Sequence, residues 1–269
     1  MARTVPHAVP APTARGLARW PMVAFVAIAY ALSWSFWGLA SLAGTDTLLG
    51  AAAFVLGGFG PGAAALIVLA SGAGSVRRWA ASIVRWRVPG RYWAYALGLP
   101  ALLYAAANLM LLAFGEEAAW ALIGERIVPY LSTFVLTLFL LGGQEELGWR
   151  GFALPRLQAR FGPLAATAIL GLIWSVWHLP LGPLAMIVPF FLAPFYTWLY
   201  NRTGSVLLAI LLHASFTPAQ DHLILQSSLS HGAADVVIGL AYLLGLVVLL
   251  VATRGRLGFD PEANARYMP

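Results

Sequence analysis

AADVVIGLAYLLGLVVLLVAT, residues 233–253, contains a single charged residue, Asp235. A helix of about 20 apolar residues crosses the hydrocarbon core of a bilayer, and in lipid a helix satisfies its own backbone hydrogen bonds. Comparable stretches recur at roughly 20–43, 50–72, 92–115, 128–148, 163–180, 182–200, 204–220 and 233–253. They are long, rich in Ala and Leu, and lack the alternating pattern of barrel strands. The sequence therefore predicts an all-α polytopic membrane protein, a bundle of about eight transmembrane helices.

The composition excludes a water-soluble globular domain. Of 269 residues, 61% are hydrophobic and 10% are charged, whereas about a quarter are charged in soluble domains. A pI of about 10.1 would suggest nucleic acid for a soluble protein. Here the arginines lie in short loops between spans, as topology signals do, so no nucleic-acid partner is predicted. Because the chain has no cysteine, disulfides and thiolate chemistry are excluded.

The placement of the arginines predicts the orientation. One side carries Arg77, Arg78, Arg85, Arg87, Arg91, Arg156, Arg160, Arg202, Arg254, Arg256 and Arg266. The other side holds Asp46, Glu116, Glu117, Glu125, Asp221 and Asp235, with Arg126 as its only arginine. By the positive-inside rule, residues 1–19 and 254–269 are cytoplasmic tails on either side of the bundle at 20–253. The use of arginine in place of lysine indicates a GC-rich prokaryotic genome, and therefore the inner (plasma) membrane of a prokaryotic cell.

Ionisable side chains inside the predicted spans are the candidates for function, because such groups are costly and rare in a membrane. Glu145 and Glu146 lie in LLGGQEELGWRGF, His178 lies in LIWSVWHLP, and His213 lies in LLAILLHASFTP. Residues 160–163, Arg-Phe-Gly-Pro, are a turn signal midway between the glutamates and His178. At 1.5 Å per helical residue, both lie about 25 Å from that turn, and His213 lies about 15 Å from the next turn, Asn-Arg-Thr-Gly. The three groups are therefore expected to meet at one depth.

Helical spacing separates the two glutamates. Glu146 and Arg150 are four residues apart and can pair on one face. Glu145 is rotated by about 100° from that face and is expected to stay free for chemistry. Taken alone, the Glu146–Arg150 pair fits a topology-fixing salt bridge as well as a catalytic role.

Three motifs, in order, carry a resemblance to a known family. EELGWR (145–150) is an EExxxR motif, and WSVWH (174–178) is similar to FxxxH, with Trp174 in the Phe position. NRTGSVLLAILLHASFT (201–217) is similar to an RTGS-type turn that leads into HxxxN. Together they resemble the CPBP family of intramembrane proteases, which includes type II CAAX prenyl endopeptidases and bacteriocin-processing, ABI-type proteins. The matching core covers roughly residues 128–220.

The resemblance implies an endopeptidase that acts on membrane-associated or lipidated peptide substrates in the bilayer. The site that it implies consists of Glu145, Glu146, Arg150, His178 and His213. The first glutamate is the residue expected to activate water. Thr217 stands where the family has Asn, so the position keeps a hydroxyl but loses the second N–H donor of an amide.

Two mechanisms are compatible with these residues. In a metal-free scheme, Glu145 deprotonates water, His178 orients the water, and His213 with Thr217 stabilises the oxyanion. In a metal scheme, Glu145, His178 and His213 bind Zn²⁺ with one position open for water, and Glu146 is the base.

Two other classes of protein remain as alternatives. The first is a catalytically inactive membrane scaffold or immunity protein, for which the threonine at position 217 is the supporting feature. The second is a proton- or ion-coupled transporter, in which buried Glu and His relay protons. Transporters of this kind are built from paired repeats, and the sequence shows none.

Overall fold

The computed structural model describes residues 16–225 and 231–269. Within these ranges every regular element is a helix and no strand occurs, which confirms the predicted all-α class. Of the predicted tail at 1–19, only the 3₁₀ turn Gly16–Arg19 is described, and the remainder lies outside the described residues.

Helical segments occupy all eight predicted positions. In chain order the helices are α1 (Pro21–Ala43), α2 (Leu48–Gly58), α3 (Gly60–Val68), α4 (Val76–Ile83), α5 (Gly90–Ala113), α6 (Leu122–Phe139), α7 (Glu146–Gly148), α8 (Leu154–Phe161), α9 (Pro163–Trp177), α10 (Pro183–Thr203), α11 (Val206–His222), α12 (His231–Thr253) and α13 (Pro261–Tyr267). Short 3₁₀ turns at Gly143–Glu145 and Leu179–Leu181 precede α7 and α10, and π turns at Leu69–Ala73 and Trp149–Ala153 follow α3 and α7.

The number of spans depends on length and apolar composition. Four described stretches are long and apolar enough to cross a membrane: Pro21–Ala43, Gly90–Ala113, Leu122–Phe161 and Asp235–Thr253. A fifth is added if Leu48–Gly58 and Gly60–Ala73, which are bent by 48°, form one span. The predicted count of eight is not reached by this criterion. The structure is that of a polytopic helical membrane protein. The cytoplasmic location of both termini remains a prediction.

The predicted spans that fail this criterion are the fifth to the seventh, now α9 to α11. Helices α9 and α11 have only 15 and 17 residues. Helix α10 has 21 residues, but prolines interrupt it and its last turn contains Asn201 and Arg202. Helix α11 also carries His213 and Thr217 of the candidate site, which lower its mean hydropathy.

The fourth predicted span, 128–148, is interrupted in the structure. Helix α6 ends at Phe139, and a second helical run begins with the 3₁₀ turn at Gly143. Gly142 joins them with a φ of +141°, a conformation that residues with a Cβ rarely adopt. The stretch still counts as one candidate span, Leu122–Phe161, but it is not one regular helix, because the glycine pair that precedes the glutamates breaks it.

The two predicted turns are confirmed. Helix α8 ends at Phe161 and α9 begins at Pro163, so the hairpin returns to the level of Glu145 where α9 ends. The second turn follows α10 at Gly204, in the left-handed conformation. Ser205 then begins α11, because its Oγ accepts a hydrogen bond from the main-chain N–H of the third residue beyond it.

Close packing between α3 and the second helical run (143–161) fixes the position of the two glutamates relative to α3. A Cβ added to Gly148 would lie 2.5 Å from the main-chain carbonyl carbon of Pro61. Below them, an aromatic cluster joins the second run to α1 and α9. Phe25 packs against Trp149 with ring centroids 5.5 Å apart, and Trp149 packs against Trp177 at 5.6 Å.

The predicted C-terminal tail, 254–269, is folded against the bundle, a feature that the sequence reasoning missed. Helix α13 is capped by Asp260, whose Oδ1 accepts the N–H of Glu262. Asn264 donates to the carbonyl of Pro155 in α8 at 3.1 Å. The loop before α13 is held by Asn201 of α10, which donates to a main-chain carbonyl of that loop at 2.9 Å.

Replacing Gly148 with Ala is expected to lower the free energy of unfolding by about 1–3 kcal/mol, because overpacking forces the backbone of α3 to move. Gly98→Ala in α5 is the matched control, since a Cβ there meets nothing within 4 Å. Thermal unfolding in detergent, followed by tryptophan fluorescence, measures both. Equal midpoints for the two variants would contradict the close contact.

Candidate active site

A cavity of about 240 Å³ lies among the start of the second helical run, α9, α10 and α11. The polar and aromatic side chains that line it include Gln144, Glu145, Trp174, His178, His213 and Thr217. Four of the six predicted site residues therefore share one cavity. The other two, Glu146 and Arg150, are not among its lining residues.

Glu145 is positioned by the first turn of the second helical run. Its side chain is 6% exposed, and its Oε2 accepts a hydrogen bond of 2.7 Å from Nε1 of Trp174. The other carboxylate oxygen has no hydrogen-bond partner among the described residues. The motif resemblance put Trp174 in the family's Phe position and gave no indication of this hydrogen bond.

Glu146 and Arg150 form the ion pair that their spacing predicts. Nη1 of Arg150 lies 2.8 Å from Oε2 and 3.0 Å from Oε1 of Glu146, and both side chains are fully buried. The guanidinium lies between two aromatic rings, with its carbon 4.4 Å from the ring centre of Trp174 and 4.3 Å from that of Tyr196. Such cation–π contacts stabilise a desolvated guanidinium. The pair therefore lies outside the cavity, where Arg150 contacts two of the aromatic residues that line it.

His213 is also bound to Glu146, a contact that the sequence did not indicate. Its Nδ1 lies 2.9 Å from Oε1 of that glutamate. Since a carboxylate accepts, Nδ1 carries the proton and Nε2 is the nitrogen left for chemistry. That nitrogen lies against the glycine turn, because a Cβ at Gly142 would be 2.6 Å from it. Because Gly142 has no side chain, the helix can break at this position and the imidazole of His213 can approach the turn.

His178 caps the C-terminus of α9 and is oriented in a similar way. Its Nδ1 lies 2.9 Å from the main-chain carbonyl oxygen of Trp174. A carbonyl can only accept, so this nitrogen is the donor and Nε2 is again free. The ring of Trp177 meets the imidazole edge-on at 4.9 Å and restrains its rotation. Both histidines are therefore anchored through Nδ1.

The cavity contains two further polar groups. Thr217 lies one turn beyond His213 on α11 and contributes its side chain to the cavity wall. Gln144, which the sequence reasoning passed over, fixes the turn before Glu145. Its Oε1 accepts from the N–H of Gly142 at 2.9 Å, and its Nε2 donates to the carbonyl of Leu140 at 2.8 Å. The glycine pair before the glutamates was the available signal for such a turn.

The predicted zinc ligands do not form a metal site in the described part of the chain. Over residues 16–225 and 231–269, no group of three or more His, Asp, Glu or Cys side chains is arranged to hold a metal ion. Glu145, His178 and His213 line one cavity, but their donor atoms are not grouped as metal ligands in the described residues. As arranged here, the donor set does not fit a zinc centre.

Comparisons with known proteins converge on this region. Residues 126–217, about a third of the chain, match the family model described as Type II CAAX prenyl endopeptidase Rce1-like. A segment of 55 residues is 46% identical to CAAX prenyl protease 2 of Methanococcus maripaludis. This segment makes up 19% of this chain and 20% of that protein. The similarity to that curated relative thus covers about a fifth of its length. All six predicted site residues fall within the matched range.

Removing Arg150 is expected to destabilise the protein strongly. Arg150→Ala leaves the buried carboxylate of Glu146 without its cation, and breaking a buried pair in this way costs about 3–5 kcal/mol. Arg160→Ala is the control, because Arg160 is exposed at the end of α8. The monodisperse fraction after extraction, measured by size-exclusion chromatography, should fall for Arg150→Ala alone. Equal yields would show that the pair has no structural role.

Proposed function

We propose that this chain, whose residues 126–217 match the Rce1-like family of type II CAAX prenyl endopeptidases, is an intramembrane endopeptidase. Its substrates are membrane-associated or lipidated peptides. The observation that carries the proposal is the cavity in which the carboxylate of Glu145 faces two anchored imidazoles. Peptide hydrolysis needs a base for water and donors for the oxyanion, and this cavity offers both.

In the proposed reaction, Glu145 takes a proton from a water molecule as the water oxygen attacks the peptide carbonyl carbon. Nε2 of His178 accepts the second water proton as a hydrogen bond and orients the nucleophile. The C–O bond forms and the carbonyl oxygen becomes an oxyanion. The protonated Glu145 then donates its proton to the amine nitrogen as the C–N bond breaks. The products are a carboxylate and a free amine.

His213 is the proposed electrophilic group. Its Nδ1 donates to Glu146, and in the proposed reaction it acts as an imidazolium, in which Nε2 also carries a proton. That proton and the hydroxyl of Thr217 are then the donors to the oxyanion. Glu146 and Arg150 act through His213, so they are positioning residues rather than groups that touch the substrate.

The walls of the cavity support an apolar substrate. Besides Tyr196, α10 contributes Ala185, Val188, Pro189 and Leu192 to the lining, with Phe216 of α11 beside them. Such a surface favours an extended apolar peptide or a lipid chain over a charged peptide. Selection of substrates by a lipid anchor is therefore part of the proposal.

The proposal is tested by cleavage of a farnesylated CAAX peptide in detergent micelles. Glu145→Gln is expected to lower kcat by about 10²–10⁴, because a general base contributes roughly this factor, while folded yield is unchanged. Glu125→Gln is the matched control, since Glu125 is exposed on α6. If Glu145→Gln were as active as wild type, this carboxylate would not be the base.

The same assay separates the alternatives. An inactive scaffold or immunity protein predicts that wild type cleaves neither farnesylated nor unmodified peptide. A proton-coupled transporter predicts the same, together with a proton flux in vesicles that depends on Glu145. Either result would overturn the proposal of a protease.

Trp174 is expected to hold the base in place. Trp174→Phe removes the N–H that binds Oε2 of Glu145 and should lower kcat about tenfold with little change in KM, because one hydrogen bond to a charged group is worth about 1.5–3 kcal/mol. Trp149→Phe is the matched control, since its buried indole N–H has no hydrogen-bond partner among the described residues. Steady-state kinetics measure both. Equal kcat values would remove Trp174 from the mechanism.

Thr217 is expected to limit the rate. Thr217→Val should lower kcat, because valine has nearly the same shape as threonine but lacks the hydroxyl donor. Thr217→Asn should preserve or raise kcat, because the longer amide reaches further and has two N–H donors. A good oxyanion donor contributes about 10²–10³ in rate, so an effect at the low end of this range is expected for the weak donor. A Val variant with wild-type kcat would show that the hydroxyl takes no part.

A further inference from the structure

A second cavity, separate from the candidate active site, lies where α5 begins and where α10 and α12 end. Its volume is about 540 Å³. The charged and aromatic residues that line it are Arg91, Tyr92, Trp198, Arg202, Arg256, Phe259 and Asp260. None of them lines the first cavity, and none has a place in the proposed reaction.

Tyr92 draws two of the arginines together. Its hydroxyl oxygen accepts from Nε of Arg202 at 3.2 Å and from Nη2 of Arg91 at 3.3 Å, while its own side chain is 4% exposed. Each guanidinium has five N–H donors, so most of them remain directed elsewhere. Gly258 allows the chain after α12 to approach, because a Cβ there would lie 2.6 Å from Cδ of Arg202. The arrangement is thus built from three separate segments.

The charge of the cavity is not balanced by the protein. Three guanidinium groups face one carboxylate, that of Asp260, whose Oδ1 is already the cap of α13. Among the described residues, no salt bridge involves any of these three arginines. Like charges held together in this way repel each other unless an anion lies between them. The cavity is therefore suited to an anion with several acceptor oxygens.

The position of the cavity indicates what that anion is attached to. Arg91 stands in the first turn of α5, and Arg256 follows the end of α12 at Thr253. Both helices are candidate membrane spans, so the cavity lies at the depth of the lipid headgroups. Trp198 packs against the ring of Tyr92 at 5.8 Å, in the manner of interfacial aromatic residues. Immediately before the cavity, Val251 of α12 is 72% exposed and offers an apolar surface to an acyl chain.

We infer that Arg91, Arg202 and Arg256, aligned by Tyr92, form a binding site for a phosphate group, supplied by the headgroup of an anionic phospholipid. Arginine binds phosphate oxygens in a bidentate fashion, and the phenol and indole of this cavity suit the interface between headgroup and chain. The site is independent of the proposed peptidase activity.

The test measures binding of dioleoylphosphatidylglycerol to the purified full chain by native mass spectrometry, with dioleoylphosphatidylcholine in parallel. The double variant Arg202→Gln/Arg256→Gln is compared with Arg77→Gln/Arg160→Gln, which removes the same charge from exposed positions elsewhere. One basic residue near an anionic lipid strengthens binding about fivefold. The cavity variant should therefore bind phosphatidylglycerol roughly 25-fold more weakly, with the control unchanged.

A third arm uses inorganic phosphate as a competitor. If millimolar phosphate displaces phosphatidylglycerol and binds wild type without lipid, the site takes free phosphate as well, which still supports the assignment. If the double variant fails to fold, Tyr92→Phe is used in its place. This variant retains the packing and should weaken binding several-fold. Equal weakening in the cavity and control variants, or no preference for phosphatidylglycerol over phosphatidylcholine, would overturn the inference.

Discussion

Two nitrogen donors converge on one carboxylate at the centre of the bundle. Glu146 accepts from Arg150 one helical turn away and from His213, 67 residues later in the chain. An unpaired carboxylate in an apolar interior carries a desolvation penalty of several kcal/mol, so α7 and α11 must pack closely enough for both contacts to form. The same contact selects the nitrogen of His213 that remains for chemistry. Arg150 in turn places its guanidinium against Trp174, whose indole binds Glu145.

Close contact between helices is the condition for this network. Lipid supplies little hydrophobic driving force between helices in a membrane, so packing and interhelical hydrogen bonds must hold them together. At two points glycine permits the approach. Gly148 lets α3 rest on the second helical run, and Gly142 admits the imidazole of His213. The polar contacts of the site therefore depend on the small residues around it, which let the helices approach each other.

The parts of the site that the sequence predicts are those governed by local geometry. The four-residue spacing of Glu146 and Arg150 and the turn before Pro163 follow from helical periodicity and turn chemistry alone. Contacts between distant segments do not. The bond from His213 to Glu146 and the bond from Trp174 to Glu145 depend on how α9 and α11 rotate about their axes, which the sequence alone does not define. The docked helix α13 was missed because its short segment resembled a charged tail.

In the proposed mechanism, the two positions at which this chain departs from the resembled motifs act on opposite sides of the reacting bond. At position 174 an indole replaces a phenyl ring and adds an N–H, which the structure directs at Oε2 of Glu145. At position 217 a hydroxyl replaces an amide and removes a donor from the oxyanion side. The number of donors is similar, but their effects differ. A donor on the carboxylate fixes the base before the reaction begins, whereas a donor on the oxyanion acts only as charge develops, and only the latter lowers the barrier directly. In that mechanism the exchange favours order in the resting site over stabilisation of the transition state, which leaves His213 as the proposed principal electrophile.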